Sequence, residues 1–175
     1  TLANDLEKVK SQMNKDFVEK DDFLDIFEET AKKIVNERTE EKRIAFKNIL
    51  LNSVISKDID YDYVEENLRL LDRLRKEHLF ILKILNNPIK FDEENGNLVG
   101  SGSGGTTSLN FIMTKLLPTW NRDTIIDITS DLENERLIQD FSNQLRTMMT
   151  DIGIRHLQNR ITPKGIKFYK FISNT

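Results

Sequence analysis

The longest regular hydrophobic pattern in the chain covers residues 60–86. Within it, apolar side chains recur every three or four residues, which is the spacing of one face of an α-helix; these positions are Val64, Leu68, Leu71, Leu74, Leu82 and Leu85. Asp60 is a good N-cap residue, and Pro88 predicts that the helix stops by Asn86–Asn87, because proline disfavours helical backbone in the residue before it. The pattern predicts one continuous helix in the middle of the chain.

Shorter apolar patterns precede this helix. The first is a stripe with the spacing of a short coiled-coil seam, formed by Leu2, Leu6, Val9, Met13 and Phe17. A helix of this length is marginal in water on its own, so we expect the stripe to pack on its own chain or on a second copy, as a dimer through residues 2–17. Residues 23–35 and 39–56 predict two more helices, or one bent helix, since neither Gly nor Pro separates them.

The segment after the central helix is predicted to form a small hairpin and a flexible connection. Residues 89–91 and 97–99 are predicted to pair around Asn95-Gly96, because Asn-Gly favours a tight turn between strands. Residues 100–105, with the sequence GSGSGG, predict a flexible connection. The acids at positions 92–94 do not match the spacing of a calcium loop, because Gly96 falls at the fifth position and not the sixth.

The last third of the chain contains three further predicted helices. Ser108 is expected to cap a short helix that ends before Pro118, and residues 122–136 form the next one. Leu137 and Ile138 resemble the entry to a strand, and residues 141–160 fit either a short helix or a long wing. Thr162 and Pro163 have the pattern of an N-cap and first residue of the final helix.

The order of these parts resembles a winged-helix domain. The segments LENERLI (residues 132–138) and ITPKGIKF (residues 161–168) are similar to the signatures that bracket the wing in many bacterial members. The expected fold is therefore mainly α, with an N-terminal helical bundle or hairpin (residues 1–58). A winged-helix-like domain with a small β wing (residues 60–175) would follow, with a single continuous domain as the alternative.

A second resemblance concerns residues 41–85 together with the ITPKGIKF segment. The pattern EKRIAFKNILLNSVI, followed by LRLLDRLRKEHLFILKIL, is similar to bacterial abortive-infection alpha proteins. That family is associated with phage defence. The resemblance implies a regulatory role in such a system and does not imply a defined chemical reaction.

Composition narrows the class of function. The 175 residues are 38% hydrophobic and 31% charged, and no run of 18 apolar residues is present to cross a membrane. The absence of cysteine excludes disulfides and cysteine chemistry, and with the polar start of the chain it predicts a cytoplasmic protein. His78 has no second histidine at ligand spacing. We therefore predict a non-enzymatic protein with no cofactor and no metal.

The distribution of charge favours a protein partner over DNA. The helix predicted over residues 122–136 would be the one that a winged helix inserts into the major groove, yet it carries Asp123, Asp127 and Asp131, which would repel phosphates. These acids, with Trp120 as an exposed anchor or a core residue, are the predicted protein-binding residues. The alternative is a DNA-binding regulator that uses a basic C-terminal wing, with Arg146, Arg155, Arg160 and Lys164 on phosphates.

Overall fold

A computed structural model describes residues 2–19, 21–57, 59–99, 108–147 and 153–173. The described chain is almost entirely helical, which confirms the mainly α prediction. The α-helices are α1 (Leu2–Val9), α2 (Lys15–Val18), α3 (Asp21–Asn36), α4 (Glu40–Ile55), α5 (Tyr61–Arg73), α6 (Lys76–Asn86), α7 (Pro88–Glu94), α8 (Leu109–Leu116), α9 (Arg122–Asn134), α10 (Ser142–Thr147) and α11 (Pro163–Ile172). Short 3-10 helices lie at Lys10–Gln12 and Ile154–Arg160.

The chain divides into two compact units. The first unit comprises Thr1–Lys76 and Lys170–Thr175, and the second unit comprises Glu77–Tyr169. The predicted domain boundary near residue 59 lies inside the first unit, and the chain leaves this unit at Lys76. Among the described helices, none combines the length and apolar character that a membrane crossing requires.

The first unit is built around α4, which packs against α3, α5 and α1. Its buried positions occur all around the helix and include the fully covered Ile49, Leu50 and Val54. Two asparagines on α4 also hold the end of α11: Asn48 Nδ2 donates to the Ile172 carbonyl at 2.9 Å, and Asn52 Nδ2 donates to the Phe171 carbonyl at 2.8 Å. These amides satisfy carbonyls that a helix C-terminus leaves without an intrahelical partner.

The predicted continuous helix over residues 60–86 is wrong. Asp60 does cap a helix, since its carboxylate accepts from Tyr63 N at 2.7 Å, but that helix ends at Arg73. Leu74 has extended backbone angles (φ −79°, ψ 145°), and α6 starts at Lys76. The leucine periodicity continues across the break because α5 needs an apolar face in the first unit and α6 needs one in the second. The sequence offers neither Gly nor Pro at the junction to mark it.

The stripe near the start of the chain is not one seam. Its residues are divided among α1, the backbone beside the first 3-10 helix, and α2, and the chain between them is tied to α4. Asn14 N donates to the Val54 carbonyl at 2.7 Å, and Phe17 is buried and stacked on Tyr61 at a centroid distance of 4.6 Å. Leu2, Leu6, Val9 and Met13 are half-buried within their own chain. The predicted continuous coiled-coil surface is therefore absent from the described residues.

The predicted hairpin at residues 89–99 is also wrong. Residues 88–94 form α7, with Pro88 at its first position and the Asn87 side chain accepting from Lys90 N at 3.1 Å. Proline ends one helix and suits the first turn of the next, where no backbone donor is needed. Gly96, at φ 97°, lies in the turn that follows α7, where the positive angle favours glycine. The predicted flexible connection at residues 100–105 lies outside the described residues.

The described residues of the second unit contain the predicted Ser108 cap but not the predicted wing. Ser108 Oγ accepts from Phe111 N at 3.2 Å at the start of α8, and Asn121 Oδ1 accepts from Thr124 N at 2.7 Å at the start of α9. In residues 108–147 and 153–173, β pairing is limited to one antiparallel bridge between Ile138 and Ile161. The small β wing is therefore not supported. The described part of residues 141–160 contains α10 and a 3-10 helix, while Met148, Met149 and Ile152 lie outside it.

The start of α11 is fixed by a close backbone contact. Thr162 Oγ1 accepts from Gly165 N at 3.0 Å, which confirms the predicted N-cap. Thr162 N also donates to the Leu137 carbonyl at 3.0 Å. A Cβ atom at Gly165 would lie 2.0 Å from that same carbonyl oxygen and 2.8 Å from Ile161 Cγ1. Only glycine fits this approach of α11 to the chain after α9.

Candidate functional site

The exposed side of α9 carries a row of three carboxylates. Asp123, Asp127 and Asp131 are spaced by four residues, so they lie above one another on one side of the helix, and all three are exposed. The side chains of Asp123 and Asp127 have no hydrogen bond or ion pair with any described residue. We call these three residues the acidic face. The apolar side of α9, with Ile125, Ile128 and Leu132, is buried and holds the row in place.

One member of the acidic face is tied to the core. Asp131 Oδ2 lies 3.2 Å from Nε2 of His78, whose side chain is 3% exposed, while the Asp131 side chain remains 54% exposed. The histidine therefore fixes the position of the carboxylate, and about half of the aspartate side chain still faces solvent. Among the described residues, no group of three or more His, Cys, Asp or Glu side chains is arranged to hold a metal ion.

An aromatic pair lies in the same unit. The rings of Phe80 and Trp120 are 6.0 Å apart at 32°, and Phe80 also makes an edge contact with buried Phe91 at 5.4 Å. Phe80 is 37% exposed, and Trp120, one residue before the N-cap of α9, is half-buried. Trp120 is thus neither fully exposed nor a fully covered core residue. The pair offers a partly accessible ring surface that packs on the buried Phe91.

Two charged residues of α9 that sequence reasoning did not single out hold the chain that follows. The Glu133 carboxylate accepts from Phe141 N at 2.5 Å, from Ser142 N at 3.1 Å and from Ser142 Oγ. Arg122 Nη2 donates to the carbonyls of Leu145 at 2.6 Å and Arg146 at 3.0 Å. Glu133 caps the start of α10 and Arg122 caps its end. The charge of Arg122 is therefore directed to α10 and not to the acidic face.

The basic residues of the DNA alternative lie on three separate elements. Arg146 is on α10, Arg155 and Arg160 are on the 3-10 helix, and Lys164 is in the first turn of α11. Arg146 and Arg155 are exposed, whereas the Arg160 guanidinium donates to the Asp140 carbonyl at 3.1 Å and to Gln144 Oε1 at 2.7 Å. The Arg160 side chain therefore stabilises the chain around Asp140 and Gln144. The strands of a wing, on which these residues were expected, are not present among the described residues.

The first unit contains a charged cleft of about 310 Å³ that the sequence did not indicate. It is lined by Glu29, Lys32, Lys33, Asn36, Glu37, Phe46 and Asp72. Lys33 Nζ lies 3.0 Å from Asp72 Oδ2, and Lys42 Nζ lies 3.4 Å from Glu37 Oε2 and donates to the Asp72 carbonyl at 3.1 Å. Both ammonium groups lie over the Phe46 ring, at 5.9 and 5.8 Å. Lys33 and Lys42 are thus neutralised by carboxylates of their own chain. Because Lys33 lies on α3, Lys42 on α4 and Asp72 on α5, the network connects these three helices.

The pKa of Glu37 reflects the balance between burial and hydrogen bonding in this network. Burial alone would raise the pKa of this carboxyl group. Hydrogen bonds from the Thr39 amide and hydroxyl, together with the positive charge of Lys42, outweigh that effect and lower the pKa below its ordinary value of 4.5. Glu37 is thus an ionised partner inside the network. This role is structural, and the candidate functional site remains the acidic face with the aromatic pair.

Comparison of the chain with protein-family models, with curated proteins and with solved structures gives no match. The resemblances to winged-helix domains and to abortive-infection alpha proteins therefore remain predictions.

Proposed function

We propose that this chain is a non-enzymatic interaction module, winged-helix-like in the order of its parts, that binds a protein partner through the acidic face and the aromatic pair. The observation that supports this most directly is the pair of exposed carboxylates, Asp123 and Asp127, that no described residue neutralises. The resemblance to abortive-infection alpha proteins supports a regulatory role in bacterial phage defence, in the cytoplasm.

The acidic face is unfavourable for the helix that carries it. Like charges four residues apart destabilise a helix by a few tenths of a kcal/mol per pair. Asp123 offsets part of this cost, because it lies in the first turn, where the helix dipole favours a negative charge. Asp127 and Asp131 lie further along and gain little from the dipole. Asp127 has neither the dipole benefit of Asp123 nor the His78 contact of Asp131, so its presence in the row is consistent with selection for binding.

The chemistry of the surface favours a basic partner segment. Lysine or arginine side chains at four-residue intervals on a partner helix would match the row of carboxylates, and opposite charge accelerates association and selects the partner. An arginine or an apolar side chain could cover the Phe80–Trp120 rings, since guanidinium groups stack well on tryptophan. Tryptophan and arginine are also the residues that dominate binding energy at interfaces.

Selection of peptides from a displayed random library, on the wild-type protein and on variants, tests this proposal. We expect the wild type to enrich peptides with paired lysine or arginine residues. Their affinity should fall about tenfold or more in the Asp123→Asn/Asp127→Asn variant, which removes two exposed charges. Glu93→Gln/Glu94→Gln is the matched control, because it removes the same charge from exposed positions of the same unit. Enrichment without basic residues, or equal affinity for all three proteins, would overturn the proposal.

The second candidate function is a DNA-binding regulator. It is favoured by one observation: the side chains of Arg146 and Arg155 are exposed and have no hydrogen-bond or ion-pair partner among the described residues. Fluorescence anisotropy with a mixed-sequence duplex separates the two candidates. Phosphate contacts would make affinity fall steeply between about 50 and 200 mM salt. An Arg146→Gln/Arg155→Gln variant would then show a shallower slope.

A further inference from the structure

One side of α3 carries an apolar strip that the described residues of the first unit leave partly uncovered. With 3.6 residues per turn, Leu24, Ala31 and Val35 fall within an arc of about 40°, and Phe27 borders it. Leu24 is 60% exposed and Val35 is 80% exposed. The buried side of the same helix is centred elsewhere, on Ile26 and Thr30. The helix is thus apolar over a wider arc than the first unit covers.

The strip has a charged border on its solvent side. Glu28 and Lys32 lie next to Val35 around the helix, both are exposed, and their charged atoms are 3.4 Å apart. On the other side, the strip passes into the half-buried Phe23 and Ile34, which face the chain itself. A partner helix therefore has to bring its own charged border to the Glu28–Lys32 side.

We propose that this surface binds a second copy of itself, as an antiparallel pair of α3 helices in a symmetric dimer. In antiparallel pairing the same border of both helices meets, whereas in parallel pairing opposite borders meet. A crossing point at residue 30 brings Leu24 to within one residue, about 1.5 Å along the helix axis, of the level of Val35 of the second copy. The same crossing point brings Glu28 opposite Lys32 of the second copy, so that both charge pairs are attractive.

Two features of the sequence fit this crossing point. Ala31 lies beside it, where a small side chain allows two helix backbones to approach closely. An acid and a base lie four residues apart on the same border of the helix, on either side of the crossing point, and this makes an antiparallel pair self-complementary, as a two-fold symmetric interface requires. The pairing involves one 16-residue helix from each copy, so its area lies at the low end for specific interfaces. We therefore expect a dissociation constant in the micromolar range.

This dimer differs from one through residues 2–17. The stripe near the start of the chain is half-buried against α4 or buried beside Tyr61, whereas the α3 strip is exposed to solvent. It is also independent of the acidic face, because the residues that form it belong to the first unit.

Sedimentation equilibrium across the micromolar range tests the apolar contact. The wild type should show a monomer–dimer equilibrium, and Val35→Asp should raise the dissociation constant at least about tenfold by placing a charge in the interface. The Val35 side chain is so exposed that this change should leave the monomer folded, which circular dichroism checks. Leu98→Asp, at another exposed apolar position, is the matched control and should leave the equilibrium unchanged.

The charge pairs allow a sharper test. Glu28→Lys and Lys32→Glu should each weaken self-association, because each places like charges opposite one another across the interface. Mixing the two variants should restore a dimer that contains one copy of each, since the new lysine of the first variant then meets the new glutamate of the second. Loss of the intrahelical pair cannot produce this rescue. A wild-type monomer at every concentration, an unchanged Val35→Asp dimer, or failure of the mixed pair to associate would overturn the proposal.

Discussion

The lysines of α3 and α4 in the first unit are paired with carboxylates of their own chain, whereas Asp123 and Asp127 of α9 in the second unit are paired with no described residue. The difference follows burial. The side chains of Lys42 and Glu37 are 11% and 15% exposed, so each would be costly without the other. The aspartates of α9 remain in water and cost little alone. The buried charges of Lys42 and Glu37 therefore contribute to architecture, and the charges of Asp123 and Asp127 are available for recognition.

The largest effect is expected when the buried ion pair of the first unit is broken. Lys42→Ala removes the cation beside the Glu37 carboxylate, whose side chain is mostly covered, and we expect the free energy of unfolding to fall by about 3 kcal/mol. Urea denaturation measures it. Lys90→Ala is the matched control, because Lys90 forms a pair with Glu94 at 3.7 Å in which both side chains are more than half exposed. This control should change stability by less than about 0.5 kcal/mol. Equal losses in both variants would contradict the comparison.

A smaller effect is expected at Glu133, a carboxylate of α9 that is paired within its own chain, as Glu37 is in the first unit. Glu133→Ala removes the acceptor for three donors at the start of α10, and we expect a loss of about 2 kcal/mol in the free energy of unfolding. Glu133→Gln keeps one acceptor oxygen and should lose about half as much. Thermal unfolding of both variants checks the order. A stability loss at Asp127→Ala as large as at Glu133→Ala would remove the distinction between capping and binding carboxylates.

The pH dependence of the first unit gives a third test. Because the folded-state pKa of Glu37 lies below its ordinary value of 4.5, its charge stabilises the fold above that pH, and this contribution is lost as pH falls through the lower folded-state pKa. The stability difference between wild type and Glu37→Gln should therefore be constant near neutral pH and shrink in acid. Urea midpoints at a series of pH values measure it. A difference that grows in acid would show the opposite sign.

The smallest expected effect concerns the acidic face itself. Asp127→Asn should change the free energy of unfolding by no more than about 0.5 kcal/mol, with a small gain because like-charge repulsion along α9 is relieved. Ser130→Ala, on the same helix, serves as a control for the effect of substitution alone. A substantial loss of stability in Asp127→Asn would show that this carboxylate has a structural partner.

Structural features that depend on residues close together in the sequence were predicted correctly. Asp60, Ser108 and Thr162 each accept the backbone hydrogen bond expected of an N-cap, because capping depends on residues only three positions apart. The break at Leu74 was missed because the leucine spacing continues through it. The hairpin was predicted wrongly because Asn95-Gly96 also suits the turn after a helix, and Pro88 begins α7 as readily as it ends α6.

The candidate site shows the same limit. The four-residue spacing of the acidic face can be read from the sequence, and its exposure follows from the apolar positions between the acids. The partners of Lys33 and Lys42 cannot be read in this way, since Asp72 is 39 residues from Lys33 and 30 from Lys42. Phe80, which completes the aromatic pair, is far from Trp120 in the sequence, and no local pattern connects them.

The close contact at Gly165 has a consequence for recognising related chains. Any chain that packs α11 in this way needs glycine three residues after the capping threonine, because a larger residue would collide with the Leu137 carbonyl. A second requirement concerns the start of α10. A carboxylate such as Glu133 should lie eight residues before the backbone amide that it accepts from, which here is the amide of Phe141. These spacings come from backbone geometry and not from overall identity. They define a short signature that can identify distant relatives after most other positions have diverged.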